Sequence, residues 1–275
     1  MPVIFISRGT MSGVRLLVDC FHERTGLRCI CREDLEKVVN RHGELATRVL
    51  EKLANATSAY DQFSELRWPY IALMRKALLE EIRAGSVLYH GYSGHLLLPT
   101  LRHFIRVRVE APIDLRVNMT MERLGYDEKT ARDYIAKEDE QRVRWARFMY
   151  GRDIRSTLLY DVVLNQNRLP LNTGCGILEY IMGTEDFQAS AETQVEVERL
   201  LLASRVEVAM VTDPRTQGFE ISATAGDGGV ISLTGPYLED SELAAVREIA
   251  LGVEGVNDVR YSPGYAPRLQ TNGFF

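Results

Sequence analysis

A short loop near the amino terminus carries the residue types that bind phosphate. The loop runs from Ser7 to Arg15 with the sequence SRGTMSGVR, and it joins a β-branched and aromatic run at 3–6 to an apolar-periodic run from Leu16. A strand, a small polar loop and a helix in this order form a phosphate cradle, because unpaired N–H groups and the positive end of the helix dipole meet there. We therefore expect an anion over Ser12 and Gly13.

This loop lacks two groups of the most specific phosphate-loop pattern, Gly-x-x-x-x-Gly-Lys-Ser/Thr. Val14 stands where the lysine is expected, and no hydroxyl next to it can hold magnesium. Arg15 could bind phosphate instead, since a guanidinium donates to phosphate in a bidentate manner. The alternative is an ordinary first strand and helix with solvated arginines, and the loop alone does not decide between the two.

The composition is that of a soluble globular protein. The chain has 275 residues, of which 45% are hydrophobic and 26% charged, and this length is enough for one large or two modest domains. A formal net charge of -5 argues against a general nucleic-acid binder, which needs a basic surface. We therefore expect no nucleic-acid partner.

Hydropathy and cysteine spacing bear on location and on metals. No segment combines a basic start with a long apolar core, and no run approaches the ~20 apolar residues of a membrane span, so we expect a cytoplasmic protein. The four cysteines lack the CxxC spacing of zinc or redox sites and are interpreted as reduced and structural: Cys20, Cys29, Cys31 and Cys175. The sequence predicts no metal held by the chain's own side chains.

Five short strand patterns alternate with helical patterns in the first two thirds of the chain. Such alternation predicts a parallel sheet with right-handed crossovers. The strand patterns lie at 3–6, 27–31, 87–90, 104–109 and 160–165. Arg32 follows the second of them at a strand's carboxyl end, where α/β sheets bind ligands.

Helical spacing recurs at 45–53 and at 70–83, with Pro69 at or near the first turn of the second helix. The stretch between these helices, 57–68, is polar and aromatic. It is interpreted either as a mobile flap over a cleft or, equally well, as a surface connection whose aromatic side chains pack on the core.

The stretch from Asp127 to Arg155 is the most charged in the chain. Glu138 and Arg142 stand at i,i+4 spacing, as do Glu140 and Arg144, which favours a solvated helix with surface ion pairs. The alternative is a lid that carries arginines onto a transferring phosphoryl group.

Composition changes after Met182. The stretch 183–192 is small and acidic and is interpreted as a linker. A helix, a glycine-turn hairpin, an amphipathic helix at 239–251 and a last strand follow. These patterns predict a domain at 1–182, a second domain at 193–262 that folds independently, and an irregular tail at 263–275.

The first ~180 residues resemble the cytidylate kinase-like family of P-loop nucleoside monophosphate kinases. The resemblance rests on the order and spacing of several short elements. They are Ile6-Ser7-Arg8 with Ser12-Gly13 and Arg15, Arg32-Glu33, Ser86 to Gly91, Val107 to Pro112 with Arg116, Asp139-x-x-Arg142, Gly151-Arg152-Asp153, and Tyr160 to Asn165. The fold that this implies is a five-stranded parallel P-loop kinase sheet with flanking helices.

The resemblance implies transfer of the γ-phosphoryl group of ATP to a pyrimidine monophosphate such as CMP, with Mg2+ bridging the phosphates. Arginines would grip the nucleotides and lid arginines would stabilise the moving group. The implied binding residues are Ser7, Arg8, Ser12, Gly13, Arg15, Arg32, Arg116 and Arg152. The implied catalytic residues are Arg15 and Arg142, with Asp139 and Asp161 as the carboxylates to test as base or metal-organising groups.

Three positions depart from the pattern of that family. Its members usually have glycine where Met11 and Val14 stand, and arginine where Tyr92 stands. Together with Leu16, these changes motivate a second hypothesis, a degenerate kinase fold that binds a nucleotide without turning it over and signals through the C-terminal module.

The segment from about Val195 to Tyr261 resembles the BON domain, a small α/β module. The matching elements are the hairpin that ends at Gly235, the helix after it, and the run from Gly252 to Val259. The resemblance implies a protein or lipid-surface partner, and in this chain a sensing or interaction role. A core of ~70 residues is marginal, so we expect docking or self-association to stabilise it.

Overall fold

The structure, a computed structural model, describes residues 2–40, 44–54, 63–91, 93–98, 100–101 and 103–264. The first half of the stretch interpreted as a flap, 57–62, lies outside the described residues, and so does Tyr92. Within the described ranges, no helix is long and apolar enough to cross a membrane.

Eight strands and nine α-helices are assigned among the described residues. The strands are β1 (Val3–Arg8), β2 (Arg28–Cys31), β3 (Val87–Gly91), β4 (Phe104–Glu110), β5 (Val162–Asn165), β6 (Ser222–Ala225), β7 (Val230–Gly235) and β8 (Asp258–Pro263). The helices are α1 (Val14–Thr25), α2 (Arg32–Val39), α3 (Glu44–Ala54), α4 (Ser64–Ala84), α5 (Ile113–Leu124), α6 (Glu128–Tyr150), α7 (Leu171–Met182), α8 (Ala191–Thr212) and α9 (Asp240–Leu251).

The first five strands form one sheet in the order β2-β3-β1-β4-β5, and every pairing in it is parallel. This confirms the predicted five-stranded parallel sheet with flanking helices. The fifth strand begins at Val162, two residues later than its pattern predicts. Arg32 begins α2 directly after β2, so it does lie at the carboxyl end of a strand.

One face of this sheet is covered by α1 and α7. Ile4, Ile6 and Val107 from the strands pack with Leu17 of α1 and Leu178 of α7 in a buried cluster. Alternate residues of β1 therefore point to this core, as the period of two requires. The register pairs Arg8 with Val109 and Glu110 with Asn165, so the loop after β1 and the end of β5 lie at the same edge.

The described residues form two compact units. Residues through Arg32 and from Gly85 to Ala189 make the first, while residues from Glu33 to Ala84 and from Ser190 onward make the second. Helices α2, α3 and α4, which the sequence analysis placed with the first domain, thus group with the C-terminal segment. The division at 182 and 193 and the independent folding of the second domain remain predictions.

The second unit contains a three-stranded sheet in the order β6-β7-β8. Strands β6 and β7 are antiparallel, as the predicted hairpin requires, and β8 is parallel to β7. Val206 of α8, Ile231 of β7 and Val246 of α9 share its buried core. Helix α8 continues to Thr212, whereas the sequence pattern predicts a helix from about Thr193 to Ser204.

Helix α4 belongs to this second unit and packs along α8. The sequence predicts Pro69 at or near the first turn of this helix. The helix begins at Ser64 instead, so Pro69 lies inside it. Arg75 of α4 forms an ion pair of 2.8 Å with Glu207 of α8, whose carboxylate also accepts from the Ala223 N–H. Glu207 is only 2% exposed, so this pair lies in the core between the two helices.

Candidate phosphate-binding site

The loop from Gly9 to Gly13 connects β1 to α1 at the carboxyl edge of the sheet. Gly13 caps the helix with a φ of 73°, which a glycine adopts without strain. Met11 adopts a φ of 53°, a left-handed conformation that costs a residue with a Cβ atom roughly 1–2 kcal/mol. Met11 is therefore held in a backbone conformation that its side chain does not favour.

Two hydroxyl groups inside this loop have no hydrogen-bond partner among the described residues. They are Thr10 Oγ1 and Ser12 Oγ, and both side chains are only 2% exposed. A buried hydroxyl without a partner costs about 1–3 kcal/mol. An anion at the N-terminus of α1 would supply acceptors for both groups and would face the positive end of the helix dipole.

A charged pair holds the Thr10 peptide groups from both sides. The Thr10 N–H donates to Asp139 Oδ1 at 2.9 Å, and Arg116 Nε donates to the Thr10 carbonyl at 2.6 Å. Arg116 Nη2 also donates to Asp139 Oδ2 at 2.6 Å. A Cβ atom at Gly9 would lie 3.5 Å from the Arg116 guanidinium, so the loop packs closely on it. Burial opposes ionisation of Asp139, but the hydrogen bonds from Thr10 and Arg116 outweigh it and lower its pKa.

The end of β5 closes over the start of α1. The Gln166 N–H donates to the Glu110 carbonyl at 2.8 Å and continues the ladder one residue past the strand. A Cβ atom at Gly13 would lie 2.7 Å from Gln166 Oε1, which is the movable end of a flexible side chain, so it is the positive φ of position 13 that favours glycine.

A second polar cluster lies on the sheet face opposite α1. The Tyr160 hydroxyl donates to the Ile154 carbonyl at 2.8 Å, which leaves Ser7 Oγ, 3.1 Å away, to donate to Tyr160. Arg108 lies with its guanidinium carbon 5.8 Å from the Tyr160 ring centroid and donates to Glu110 at 2.6 Å. Burial raises the pKa of Tyr160, so its hydroxyl stays protonated. The sequence predicts Ser7 as a site residue but does not single out Tyr160 or Arg108, which stand inside runs that match the family pattern.

His95 completes this cluster. Its ring centroid is 4.9 Å from that of Tyr160, and the residue is 3% exposed. Burial, followed by the charges of Arg106 and Arg108, lowers the pKa of His95 to about 3. The imidazole is therefore neutral at physiological pH.

Two sequence-predicted site residues are not brought to the loop. The Arg15 side chain is 77% exposed and pairs with Asp19, at 3.9 Å on the next turn. Asp161 precedes β5 at the amino end of the sheet, where its carboxylate accepts from the Arg106 N–H at 2.7 Å. Because phosphate loops face the carboxyl ends of the strands, Asp161 lies at the opposite edge from the loop. Its assignment as a base or metal-organising group has no geometric support.

The remaining predicted arginines lie on or near α6 and at strand ends. The guanidinium carbon of Arg32 lies 4.9 Å from the ring centroid of Trp145 on α6. Arg142 of α6 is half-buried, with its Nη1 atom enclosed. Arg152 follows the end of α6, and Arg8 ends β1; both are partly exposed. No hydrogen bond between these four arginines and Ser12 is observed among the described residues.

The positions after Gly13 do not fit a magnesium ion held by the chain. Val14 is 2% exposed and packs in the core beneath the sheet, and Arg15, whose side chain is 77% exposed, stands where the hydroxyl is expected. Within the described ranges, no group of three or more His, Cys, Asp or Glu side chains could hold a metal ion. What the loop offers a ligand is therefore hydroxyl and backbone donors.

Comparison with known proteins bears on the family and on the fold. A model of the cytidylate kinase-like family matches residues 3–168. An uncharacterized protein from Eubacterium ventriosum ATCC 27560 has a solved structure that aligns with a TM-score of 0.51 and 21% identity, over 67% of this chain and 100% of that chain. TT1252 from Thermus thermophilus aligns with a TM-score of 0.44 and 15% identity, over 66% of this chain and 96% of that chain. Shikimate kinase from Bacteroides thetaiotaomicron aligns with a TM-score of 0.36 and 14% identity, over 66% of this chain and 99% of that chain.

These structural likenesses are distant. Of these three, the Eubacterium ventriosum protein alone exceeds a TM-score of 0.5, and at 21% identity it bears on the fold alone. No curated protein matches the chain. The family model covers more than half of the sequence, including the loop, β1 to β5 and α6. The chain belongs to the cytidylate kinase-like family, and its first unit has the α/β fold of P-loop kinases.

Proposed function

We propose that the chain binds a nucleoside phosphate at its first loop, with a phosphate group over Ser12 and Gly13. The observation that carries the proposal is the buried hydroxyl of Ser12, which lacks a partner within the described part of the chain. A phosphate accepts hydrogen bonds from hydroxyl and backbone donors at a helix N-terminus. Membership of a nucleotide-kinase family supports a nucleotide as the bearer of that phosphate.

Two activities are compatible with such binding. In the first, the chain transfers the γ-phosphoryl group of ATP to a pyrimidine monophosphate such as CMP. The roles implied by the family resemblance put Arg15 and Arg142 on the donor and the moving group, and Arg32 and Arg116 on the acceptor. In the second, the chain binds the nucleotide without turnover and acts as a sensor.

The geometry supports binding without turnover better than transfer. The position expected to carry a lysine is occupied by Val14, which packs in the core. The chain therefore has no lysine there to reach the phosphates. The Arg15 side chain lies in solvent, and two nitrogens of Arg116 are already bonded to Thr10 and Asp139. Phosphoryl transfer depends on positioned positive charge, and the loop presents less of it than a kinase requires.

Calorimetric titration with ATP and with CMP, paired with a coupled transfer assay, tests the proposal. We expect ATP binding with no turnover of CMP, dCMP, UMP or AMP at millimolar magnesium. Turnover of any of these acceptors would establish the kinase and reject the sensor. Absence of binding by ATP, CMP and inorganic phosphate would overturn the proposal as a whole.

The C-terminal module would serve as the output of the sensor. Its resemblance to a BON domain supports a protein or lipid-surface partner. Co-sedimentation of the full chain with vesicles that contain anionic lipid, with and without ATP, measures this output. Equal sedimentation in the presence and absence of ATP would remove the lipid surface from the proposal.

A further inference from the structure

Three residues that are far apart in sequence meet at the most strained point of the first loop. Asp139 of α6 and Arg116 of α5 hold the N–H and the carbonyl of Thr10, directly before Met11. Among the described residues, Met11 is the one residue other than glycine that has a positive φ. The N–H and carbonyl groups that directly precede Met11 are thus held by residues outside the loop.

We infer that Arg116 and Asp139 are positioning residues for the first loop, which hold Thr10 and Met11 so that Ser12 and the N-terminus of α1 can receive a phosphate. This inference rests on the proposed function for its ligand, but the contacts with Thr10 are made within the chain itself. It assigns Arg116 a role different from the acceptor contact that the family resemblance implies. Asp139 acts here as a hydrogen-bond acceptor and not as a base.

The burial and charge of the pair fit a structural clamp. The Arg116 side chain is 12% exposed and that of Asp139 is 34% exposed, so solvent screens their attraction less than it does for a surface pair. The two charges neutralise each other, and each also bonds to a loop peptide group. An aspartate paired in this way remains an acceptor at physiological pH, because its pKa is lowered.

The clamp contacts the beginning of the loop and leaves its end for the ligand. Asp139 bonds to Thr10, whereas the partnerless Ser12 hydroxyl and the start of α1 lie two and four positions further on, within the part of the chain that the structure describes. A carboxylate that competed with the ligand would be expected on the helix N-terminus itself. The position of the contact therefore favours support of the loop over occupation of the phosphate position.

Strain at Met11 provides a specific test. If Asp139 is needed because Met11 resists its left-handed conformation, a glycine at position 11 should make Asp139 dispensable. If Asp139 touches the ligand, a glycine at position 11 should make no difference. The test therefore compares Asp139→Ala with the double variant Met11→Gly/Asp139→Ala, each in the full chain.

The first measurement needs no ligand. We expect the Thr10 amide to exchange with solvent at least about tenfold faster in Asp139→Ala than in the wild type, because its acceptor is gone. Asp139→Asn keeps one acceptor oxygen and should give a smaller effect in the same direction, which secures the test if the alanine variant folds poorly. Unchanged exchange in both variants would overturn the inference.

The second measurement is the affinity for ATP by calorimetry. We expect Asp139→Ala to weaken binding about tenfold, which corresponds to about 1.4 kcal/mol, and the same change in the Met11→Gly background to weaken it less than about threefold. Glu179→Ala serves as the matched control, since Glu179 pairs with Arg24 in the last turn of α1, at the opposite end of that helix from the loop, and it should leave ATP affinity unchanged.

Each contrary result has a distinct meaning. Equal losses in the wild-type and Met11→Gly backgrounds would identify Asp139 as a ligand contact, and tighter ATP binding in Asp139→Ala would identify it as a competitor for the phosphate position; either result overturns the inference. If wild-type protein binds neither ATP nor inorganic phosphate, the proposed function fails, and amide exchange at Thr10 still decides whether the clamp exists.

Discussion

At the scale of single residues, the site is recognised by groups whose surroundings do not satisfy them. Ser12 buries a hydroxyl without a partner among the described residues, and Met11 holds a conformation that residues other than glycine avoid. Features of this kind reduce stability and persist at sites that act on ligands. His95 is a third case, because its imidazole is buried in the neutral form beside two arginines.

Replacement of Ser12 by alanine should separate stability from binding. Removing the unsatisfied hydroxyl should stabilise the ligand-free protein by about 1 kcal/mol, while ATP affinity falls about tenfold because a donor is lost. Urea unfolding without ligand and calorimetry with ATP measure the two effects. Ser204 is the control: it is also buried, but its Oγ donates to the Leu201 carbonyl at 3.0 Å, so Ser204→Ala should reduce stability. Loss of stability in Ser12→Ala would show that the hydroxyl has a partner.

Stability should fall with acidification, in part through His95. Its pKa is about 3 in the folded state and 6.5 in the unfolded state, so below pH 6.5 the unfolded state binds more protons. Stability is therefore complete above pH 6.5 and declines as the pH falls toward 3, with a loss of about 2 kcal/mol from this residue at pH 5.

Urea unfolding of wild type and of His95→Phe at pH 7 and pH 5 measures the contribution of His95 to this loss of stability. The variant should lose about 2 kcal/mol less than wild type between the two pH values. His103, whose pKa is lowered to about 4 chiefly by burial, should contribute a separate and similar loss of stability that remains in His95→Phe. An identical pH dependence in His95→Phe and wild type would contradict the assignment.

At the scale of elements, α1 and α6 determine what the loop can bind. The first residue of α1, Val14, faces the sheet, whereas Arg15 and Leu16 face solvent. Helix α6 instead directs Asp139 onto the loop from outside. Successive residues of a helix point in directions about 100° apart. The position of a residue in the first turn therefore decides whether its side chain reaches the phosphate or the core.

Val14→Lys should therefore destabilise the protein and should not create a kinase. A lysine at this position places an ammonium group in an apolar cluster, and we expect a loss on the order of 3 kcal/mol in the free energy of unfolding. Leu16→Lys, at an exposed position of the same turn, should change it by less than about 0.5 kcal/mol. A stable Val14→Lys variant that phosphorylates CMP would show that the lysine reaches the loop and that the fold is otherwise competent.

At the scale of the whole molecule, the second unit is built from two separate stretches of the chain. Helix α4 contributes three arginines at eight-residue spacing that pair with C-terminal carboxylates: Arg67 with Glu220, Arg75 with Glu207 and Arg83 with Glu198. The middle pair is buried, and burial, opposed by Arg75, raises the pKa of Glu207. Removing one partner of a buried pair leaves an uncompensated charge.

Residues 190–275 should therefore fail to fold alone, although the sequence predicts an independent domain. Without α4, Glu207 loses its cation and α8 loses the helix that packs on it. We expect a collapsed amide spectrum from 190–275 and a dispersed one when a 33–84 peptide is added. A dispersed spectrum from 190–275 alone would support the sequence-based boundary.

Within the full chain, two pairs of the same series give a matched comparison. Arg75→Met should destabilise the protein by about 3 kcal/mol or more, because the Arg75 and Glu207 side chains are 12% and 2% exposed. Arg83→Met should cost less than about 1 kcal/mol, since that pair is more than half exposed. Urea unfolding measures both changes, and equal losses in the two variants would contradict the importance of the buried pair.

The sequence by itself determined the parallel sheet, the loop after β1 and the position of Arg32, because strand alternation and carboxyl-end placement are local properties of the chain. Only the tertiary structure decided which charged residues meet the loop. Asp139 and Thr10 are 129 positions apart, and their contact depends on how α6 lies against the end of β1. Asp161, the other carboxylate predicted for the site, reaches the opposite edge because it precedes its strand and does not follow it. The grouping of α4 with α8 was likewise undetectable, since an apolar helix face predicts burial but does not name its partner.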